Sequence, residues 1–429
     1  MIKKNEARKL IHTAQGRKWL NQFKPLDQEI ASALANNLTL VSHNEFERNL
    51  VSKMAQVVAS IPGPVAFFSI REMVARKAVL KGGGIKEAVY VSTPFYEQVE
   101  LADDGESVVP LASTADVGSE GRVASIIRQF CKKKKNYYLN HPSLDKLRET
   151  KCRSIVLVDD FIGSGNRALD FVDSFWMEKT IVSWKSYKLI DFHVIAYSGV
   201  EEGIRVLESH KSNPSVHVYR DAPTFNSLPW SMERKQELIE LCEKYGRVSN
   251  KKKKHMWLGY KKTMCSLVFE HGCPNNVPAI LIEDSDKWTG LFPDRTISDT
   301  TLSVFPSEIP LEAKVESFDD IGYQQLGEAT RLIGCGKEGK IMLLILALIS
   351  KGKKKKTTLC YATGLSNDDC DKYLARCIEW GFVSPQKRIT PAGLAELKAA
   401  KKVSKVKARR LHKGSDYYYP QQLRRSHGD

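Results

Sequence analysis

The chain has 429 residues, 42% of them hydrophobic and 27% charged, with 66 Lys and Arg against 50 Asp and Glu for a net charge of +16. That length suits two or three domains with real cores, and the composition excludes wholesale disorder. The longest apolar run, Ile341–Ile349, has nine residues where a bilayer span takes about 20, and Met1-Ile2-Lys3-Lys4-Asn5-Glu6 leads into no apolar signal core, so a cytoplasmic protein with no membrane partner is expected.

Nine cysteines form no Cys-x-x-Cys and no zinc-finger spacing, which predicts reduced, buried thiols and no metal centre. Residues 1–60 read as a helical segment, with Ile30, Ala33, Leu34, Leu38 and then Phe46, Leu50, Val51, Met54 at three- and four-residue spacing. Ile61-Pro62-Gly63-Pro64 breaks it. From there to about residue 330, short apolar runs at Val65–Ile70, Ala88–Ser92, Ile155–Val158, Phe192–Tyr197 and Val216–Tyr219 alternate with longer connections. This is the grammar of an α/β domain with a mainly parallel sheet. A further strand pair is predicted at Cys265–Glu270 and Ala279–Glu283. His193 and His217 lie inside apolar runs and read as core histidines.

The most informative stretch is Ile155-Val156-Leu157-Val158-Asp159-Asp160-Phe161-Ile162-Gly163-Ser164-Gly165-Asn166-Arg167. A buried strand ends in two acids, where open α/β sheets bind ligands. A Gly-Ser-Gly-Asn turn then delivers backbone N–H groups to a helix N-terminus, a cradle for an anion. Two carboxylates beside a phosphate repel it unless they face sugar hydroxyls or a Mg²⁺ that screens both groups. Sugar on the acids and 5-phosphate on the loop together describe a ribose 5-phosphate site. The competing reading is a plain strand–helix turn in which the acids cap the helix; that explains one Asp more easily than two. Arg71, after the first strand, could grip a pyrophosphate through its planar fork or be an ordinary surface arginine. No Ser-His-Asp or Cys-His set stands out, so no covalent nucleophile is expected.

After residue 336 the order is helix, helix, helix, hairpin, helix over 336–400: Glu338–Ile349, Thr357–Thr363 stopped by Gly364, a third helix capped by Ser366 and ended by Gly381, a hairpin at Phe382–Ile389, and a fourth helix opened by Thr390-Pro391. That is the outline of a winged helix-turn-helix, followed by a basic, flexible tail at 401–429. Residues 337–429 carry 21 basic and 8 acidic residues, a net of +13, which leaves 45 and 42, or +3, for the first 336. Such asymmetry points to an anionic partner, nucleic acid by default. The third helix begins Ser366-Asn367-Asp368-Asp369, unfavourable for a helix meant to enter a groove, so the basic groups expected to meet nucleic acid are Lys353, Lys354, Lys355, Lys356, Lys387, Arg388, Lys401, Lys402, Arg409 and Arg410, contacting backbone more than bases. A protein–protein winged helix with a solvated tail is the alternative.

The Ile155–Arg167 stretch resembles the phosphoribosyl pyrophosphate (PRPP) signature of type I phosphoribosyltransferases. The resemblance implies that Asp159 and Asp160 hold the ribose hydroxyls and that Gly163, Ser164, Gly165, Asn166 and Arg167 wrap the 5-phosphate, with Mg²⁺ accompanying PRPP or a nucleotide; in an enzyme of this kind Arg71 is expected to steady the leaving group as a third catalytic residue. Asn166 and Arg167 stand where the family usually has Gly and Thr, which speaks against ordinary base salvage. Trp19-x-x-x-Phe23, Ser69-Ile70-Arg71-Glu72, Gly118-Ser119-Glu120-Gly121, His271-Gly272-x-Pro274-Asn275-Asn276, Trp288 and Leu291-Phe292-Pro293-x-Arg295 are, as an ordered set, similar to phosphoribosyltransferase-like effectors of bacterial conflict systems. With the winged helix they look like the accessory protein of an anti-phage retron. That implies a toxin-like ribosyltransferase with reverse transcriptase and multicopy single-stranded DNA/RNA as partners and a nucleotide or ribose-phosphate as ligand. The alternative is a PRPP- or nucleotide-sensing DNA-binding regulator without catalysis.

Overall fold

The computed structural model describes residues 9–73, 75–79, 85–90, 94–95, 100–101, 108–109, 119–249, 253–306 and 337–400. The chain divides into two compact units, one holding Met1–Pro310 with Lys355–Asp371 and the other holding Leu311–Lys354 with Lys372–Asp429.

The first unit is built on a five-stranded sheet, all parallel: β1 (Val65–Ser69), β2 (Tyr138–Asn140), β3 (Ser154–Ile162), β4 (Asp191–Gly199) and β5 (Ser215–Asp221), in the spatial order β5-β4-β3-β1-β2. All nine residues of β3 are buried, which is why its sequence reads as one apolar run: both faces are covered, and side chains alternate between them. Ile155 and Leu157 pack with Phe68, Phe171, Val172 and Phe175 on one face. Val156 and Val158 pack with Phe46, Leu50, Met54 and Ile127 on the other. The helix Asn166–Trp176 covers the first face, and Ser119–Cys131 and His43–Val58 cover the second. Truncating a ring such as Phe171, fully buried here, costs about 3–5 kcal/mol.

Several expectations are corrected. Of the run at Ala88–Ser92, the described residues Ala88–Tyr90 are not in the parallel sheet: Ile85–Tyr90 pairs antiparallel with Ala75–Val79 in a ribbon of its own, and residues 91–92 lie outside the described residues. Ala279–Glu283 is no strand; Ala279–Ile282 forms one helical turn after Pro278, with Glu283 N–H donating to the Ala279 carbonyl at 2.8 Å. A fully buried four-residue run looks alike as turn or strand, and periodicity cannot separate them. Its intended partner, Leu267–Phe269, pairs instead with Thr39–Val41, in parallel.

The N-terminal helices therefore share a core with residues that follow the sheet. The indole N–H groups of Trp19 and Trp288 both donate to the Ile280 carbonyl, at 2.8 and 3.0 Å. Phe23 lies between those rings, 4.8 Å from Trp19 and 5.2 Å from Trp288. His193 and His217 sit on adjacent strands with ring nitrogens 3.5 Å apart, and burial pushes His193 down to about 4. The eight described cysteines are all buried. No helix among the described residues is long and apolar enough to cross a membrane.

The C-terminal helices form as their sequence predicts. Lys337–Ser350 buries every side chain from Ile341 to Ile349. Lys356–Thr363 stops at Gly364, whose φ is +64°. Asn367–Glu379 is capped by Ser366, whose hydroxyl accepts from Asp369 N–H at 3.1 Å. Val383 and Ile389 make an antiparallel bridge, and Thr390 caps a helix at 391–400.

Candidate active site

In the order β5-β4-β3-β1-β2 the chain leaves β1 toward β2 and returns to its other side with β3, so the crevice beyond the ends of β1 and β3 is the topological switch point where ligands bind. There Asp159 and Asp160 lie near the end of β3, 3% and 8% exposed. They border a cavity of about 710 Å³ that is also lined by Gly163–Ala168, His271, Asn276 and Arg295. The pair is buried without being packed away.

The turn after the acids is shaped by backbone contact. Gly165 has φ +81°, and a Cβ there would stand 2.6 Å from the Gly203 carbonyl; one on Gly203 would stand 2.3 Å from the Gly163 carbonyl. Only glycines allow the turn to lie this close to the neighbouring helix Glu201–Glu208. A Cβ on Gly163 would meet Asn276 Oδ1 at 2.5 Å, and Asn276 is itself pinned through Nδ2 to Thr263 Oγ1 at 3.0 Å. Gly165 has no side chain to cap Asn166–Trp176, so the first turn keeps its dipole, and its amides beyond Asn166 N–H, for an anion. Ser164 Oγ accepts from Asn166 N–H at 3.3 Å.

Arg167 does something the motif alone does not suggest. Its side chain turns back, and Nη2 donates to Asp159 Oδ1 at 2.5 Å and reaches Asp160 Oδ1 at 3.3 Å. On the other side His271 Nε2 lies 3.2 Å from Asp160 Oδ2, its ring stacked on Phe269 at 4.8 Å, and its buried Nδ1 has no partner. Burial pushes the Asp159 carboxyl up to about 7 against the pull of Arg167. Burial works the same way on Asp160, but the His271 hydrogen bond and the Arg167 charge outweigh it and hold that carboxyl well below its ordinary value. The environment thus drives two adjacent, chemically identical acids apart.

Arg71 follows β1 and acts on Glu120 and His141: burial raises the Glu120 carboxyl, and the charges of Arg71 and Arg167 oppose it. Burial, reinforced by Arg71, pushes His141 down to about 3. Its Nε2 accepts from Ser69 N–H at 2.9 Å, which ties the end of β1 to β2. The neighbour of Arg71, Glu72, lines the cavity.

The Mg²⁺ expected from the sequence is one that accompanies PRPP or a nucleotide. Among the described residues no group of three or more His, Cys, Asp or Glu could hold a metal ion, and both carboxylates of the pair are already engaged by Arg167 and His271. These residues do not form a site for a resident divalent cation.

With this geometry in hand, the comparison with known families is decisive. A model of the PRTase-CE family matches residues 17–293. The chain belongs to this family. A second model, described as wHTH-PRTase associated, matches residues 343–425, so this PRTase-CE protein has a phosphoribosyltransferase-like α/β fold and a C-terminal winged helix domain. No curated protein and no solved structure gives a significant match.

Of the residues expected to meet nucleic acid, Lys354, Lys355 and Arg388 are exposed, Lys353 and Lys387 are half-buried, and Lys356 pairs with Asp371 at 2.5 Å. Lys401, Lys402, Arg409 and Arg410 lie outside the described residues. Sequence reasoning assigns no role to His271, whose signal is its place in the His271-Gly272-x-Pro274-Asn275-Asn276 string; Pro274-Asn275-Asn276 reads from the sequence as a turn whose amides could meet a base or leaving group, with a plain turn as the alternative.

Proposed function

We propose that this PRTase-CE protein is a ribosyl-transfer effector that acts on a ribose-phosphate or nucleotide, in an antiviral retron system where a reverse transcriptase and its multicopy DNA hold it inactive. The single observation that carries the enzymatic part is the buried acid pair at the switch point, opening on a cavity beside a glycine turn at a helix N-terminus. Asp159 and Asp160 accept the sugar hydroxyls, and the main chain of Gly163–Arg167 holds the 5-phosphate. The bond at C1 breaks with its electron pair leaving on the departing group. Carboxylate charge stabilises the oxocarbenium-like sugar, and an acceptor supplies the pair for the new bond. Such chemistry depends on positioning and electrostatics, with no strong nucleophile required. The retron part rests on the ordered set of sequence matches and on a basic C-terminal region suited to DNA backbone.

The test has two arms. Purified protein is incubated with PRPP, NAD and nucleotides and products are sought; in parallel, Asp160→Asn is expressed in cells where the unaltered chain arrests growth. A product together with relief of arrest in the variant is expected; arrest that persists unchanged overturns the catalytic role. The position of Arg167 on the acids favours a second reading, a sensor that binds ligand without turnover. It predicts ligand-dependent DNA binding and no product.

A further inference from the structure

We propose that Arg167 is a built-in counter-ion standing where a phosphoribosyl site would recruit a divalent cation, and that the ligand carries a single phosphoryl group, as ribose 5-phosphate or a nucleoside 5′-monophosphate does, instead of a metal-chelated pyrophosphate. This rests on the ribose-phosphate reading above and narrows its substrate class.

Three observations carry it. The first is the bridge itself: one guanidinium nitrogen reaches both Asp159 Oδ1 and Asp160 Oδ1, at 2.5 and 3.3 Å. A cation seated between these carboxylates would need those same oxygens and would repel the guanidinium, which stays protonated at any working pH. The second is the charge of the wall. The described residues lining the cavity include four carboxylates, Glu72, Asp159, Asp160 and Asp294, and two guanidiniums, Arg167 and Arg295. Arg167 is committed to the acid pair, and Arg295 Nε donates to the Cys273 carbonyl at 2.6 Å. One phosphoryl group on the main-chain amides of the glycine turn needs no side-chain cation. A pyrophosphate would bring more negative charge to a wall that already holds an excess of acid. The third is Arg71, the group best placed in sequence to meet a pyrophosphate. Of the neighbours Arg71 and Glu72 it is the acid, Glu72, and not Arg71 that lines the cavity.

The experiment is calorimetric titration of the full chain with ribose 5-phosphate, a nucleoside 5′-monophosphate and PRPP, each with Mg²⁺ and with EDTA. The monophosphates should bind equally in both conditions, within about twofold, and PRPP at least about tenfold more weakly. Arg167→Gln should weaken monophosphate binding at least about tenfold in EDTA, with Mg²⁺ restoring part of it. Tighter binding of PRPP than of the monophosphates, or a gain of about tenfold for a monophosphate on adding Mg²⁺ to the unaltered chain, overturns the proposal while leaving the ribose-phosphate site intact. Absence of binding by all three ligands overturns the underlying reading and this one with it. The comparison on the unaltered chain decides the matter even where the variant fails to fold.

Discussion

Among the described residues, two pairs of adjacent aspartates stand near helix N-termini, and they do different things. Asp368 and Asp369 occupy the first turn of Asn367–Glu379. Asp369 Oδ2 accepts from the Ser366 hydroxyl at 2.9 Å, and Asp368 pairs with Lys53 at 3.0 Å. They sit where acids complement a helix dipole, and the structure there needs nothing else to account for them. Asp159 and Asp160 come well before Asn166, too early to cap its helix, and are buried near the end of β3. No dipole neutralises them at that distance, and a guanidinium and an imidazole are spent on them instead. Adjacency of acids carries little information by itself; the distance to the helix start and the depth of burial distinguish a cap from a binding site.

The glycines that bound the two helices, Gly165 before one and Gly381 after the other, offer the largest contrast. Gly165→Ala combines a left-handed φ with a Cβ 2.6 Å from a carbonyl oxygen. Strain of about 1–2 kcal/mol and overpacking of about 1–3 kcal/mol predict a loss of ~2–5 kcal/mol by urea denaturation. Gly381 ends the helix of the other pair at φ +72°, and a methyl placed there would meet nothing within 4 Å, so Gly381→Ala should lose only the strain, about 1–2 kcal/mol. Equal losses would show that the glycine turn is not held against Gly203. Next in size, Asp160→Asn removes a charged hydrogen-bond acceptor worth about 1.5–3 kcal/mol, or roughly 10- to 100-fold in ribose 5-phosphate affinity. Asp369→Asn should leave that affinity unchanged and lower stability by about 0.3–1 kcal/mol. Comparable weakening by both variants in calorimetry would erase the distinction between the pairs.

The sheet was largely legible because buried parallel strands announce themselves as apolar runs: β1, β3, β4 and β5 fall at or around the expected residues. Tyr138-Leu139-Asn140 escaped because three residues behind a lysine run leave no periodicity to read, and Thr39-Leu40-Val41 because it continues a helical pattern. The acid pair and glycine turn were legible for the opposite reason: their chemistry is contiguous in sequence. Hidden from any sequence reading is the set of contacts that folding assembles. His271 meets Asp160 across 111 positions, Asn276 meets the Gly163 turn across a comparable span, and the Arg167 side chain turns back from the glycine turn because two buried carboxylates attract it. Local pattern fixes where a turn lies; which way a long cation points from it is decided by the charges that surround it in the folded chain.

The raised carboxyl of Asp159 makes the comparison sensitive to pH. With its midpoint near 7, the ionised form that the proposed reading sets against the sugar hydroxyls grows about tenfold between pH 6 and pH 8. Ribose 5-phosphate affinity should therefore climb through that interval more steeply than in Asp159→Asn, where only the ligand's own phosphate ionisation, at about 6, remains. The stability linkage has the opposite sign. Between the unfolded value of 3.8 and about 7 the folded chain retains a proton that the unfolded chain has released. This group's contribution is therefore full below pH 3.8 and is lost as pH rises through 7. An equal pH dependence in the unaltered chain and in Asp159→Asn would remove Asp159 from contact with the ligand.

The smallest expected effect concerns DNA. At the start of its helix the second aspartate pair is joined by Asn367, whose side chain is already used: Nδ2 donates to Asp221 Oδ1 at 2.7 Å and Oδ1 accepts from Asp221 N–H at 3.1 Å. An amide so engaged, beside two carboxylates, is poorly suited to read base edges, which leaves backbone contact by lysine and arginine as the source of any affinity. Lys387 and Arg388 lie on the hairpin that Val383 and Ile389 close, where Ser384 N–H donates to the Arg388 carbonyl at 2.7 Å. Replacing both with alanine should reduce the slope of log affinity against log salt by up to about 0.9 for each phosphate that the variant no longer neutralises. The weakening should be the same for unrelated duplexes, as measured by fluorescence anisotropy. A sequence-dependent weakening, or one brought about by Asn367→Ala, would mean that the helix of the second aspartate pair reads bases after all, and that its acids are tolerated in a groove for reasons other than the dipole.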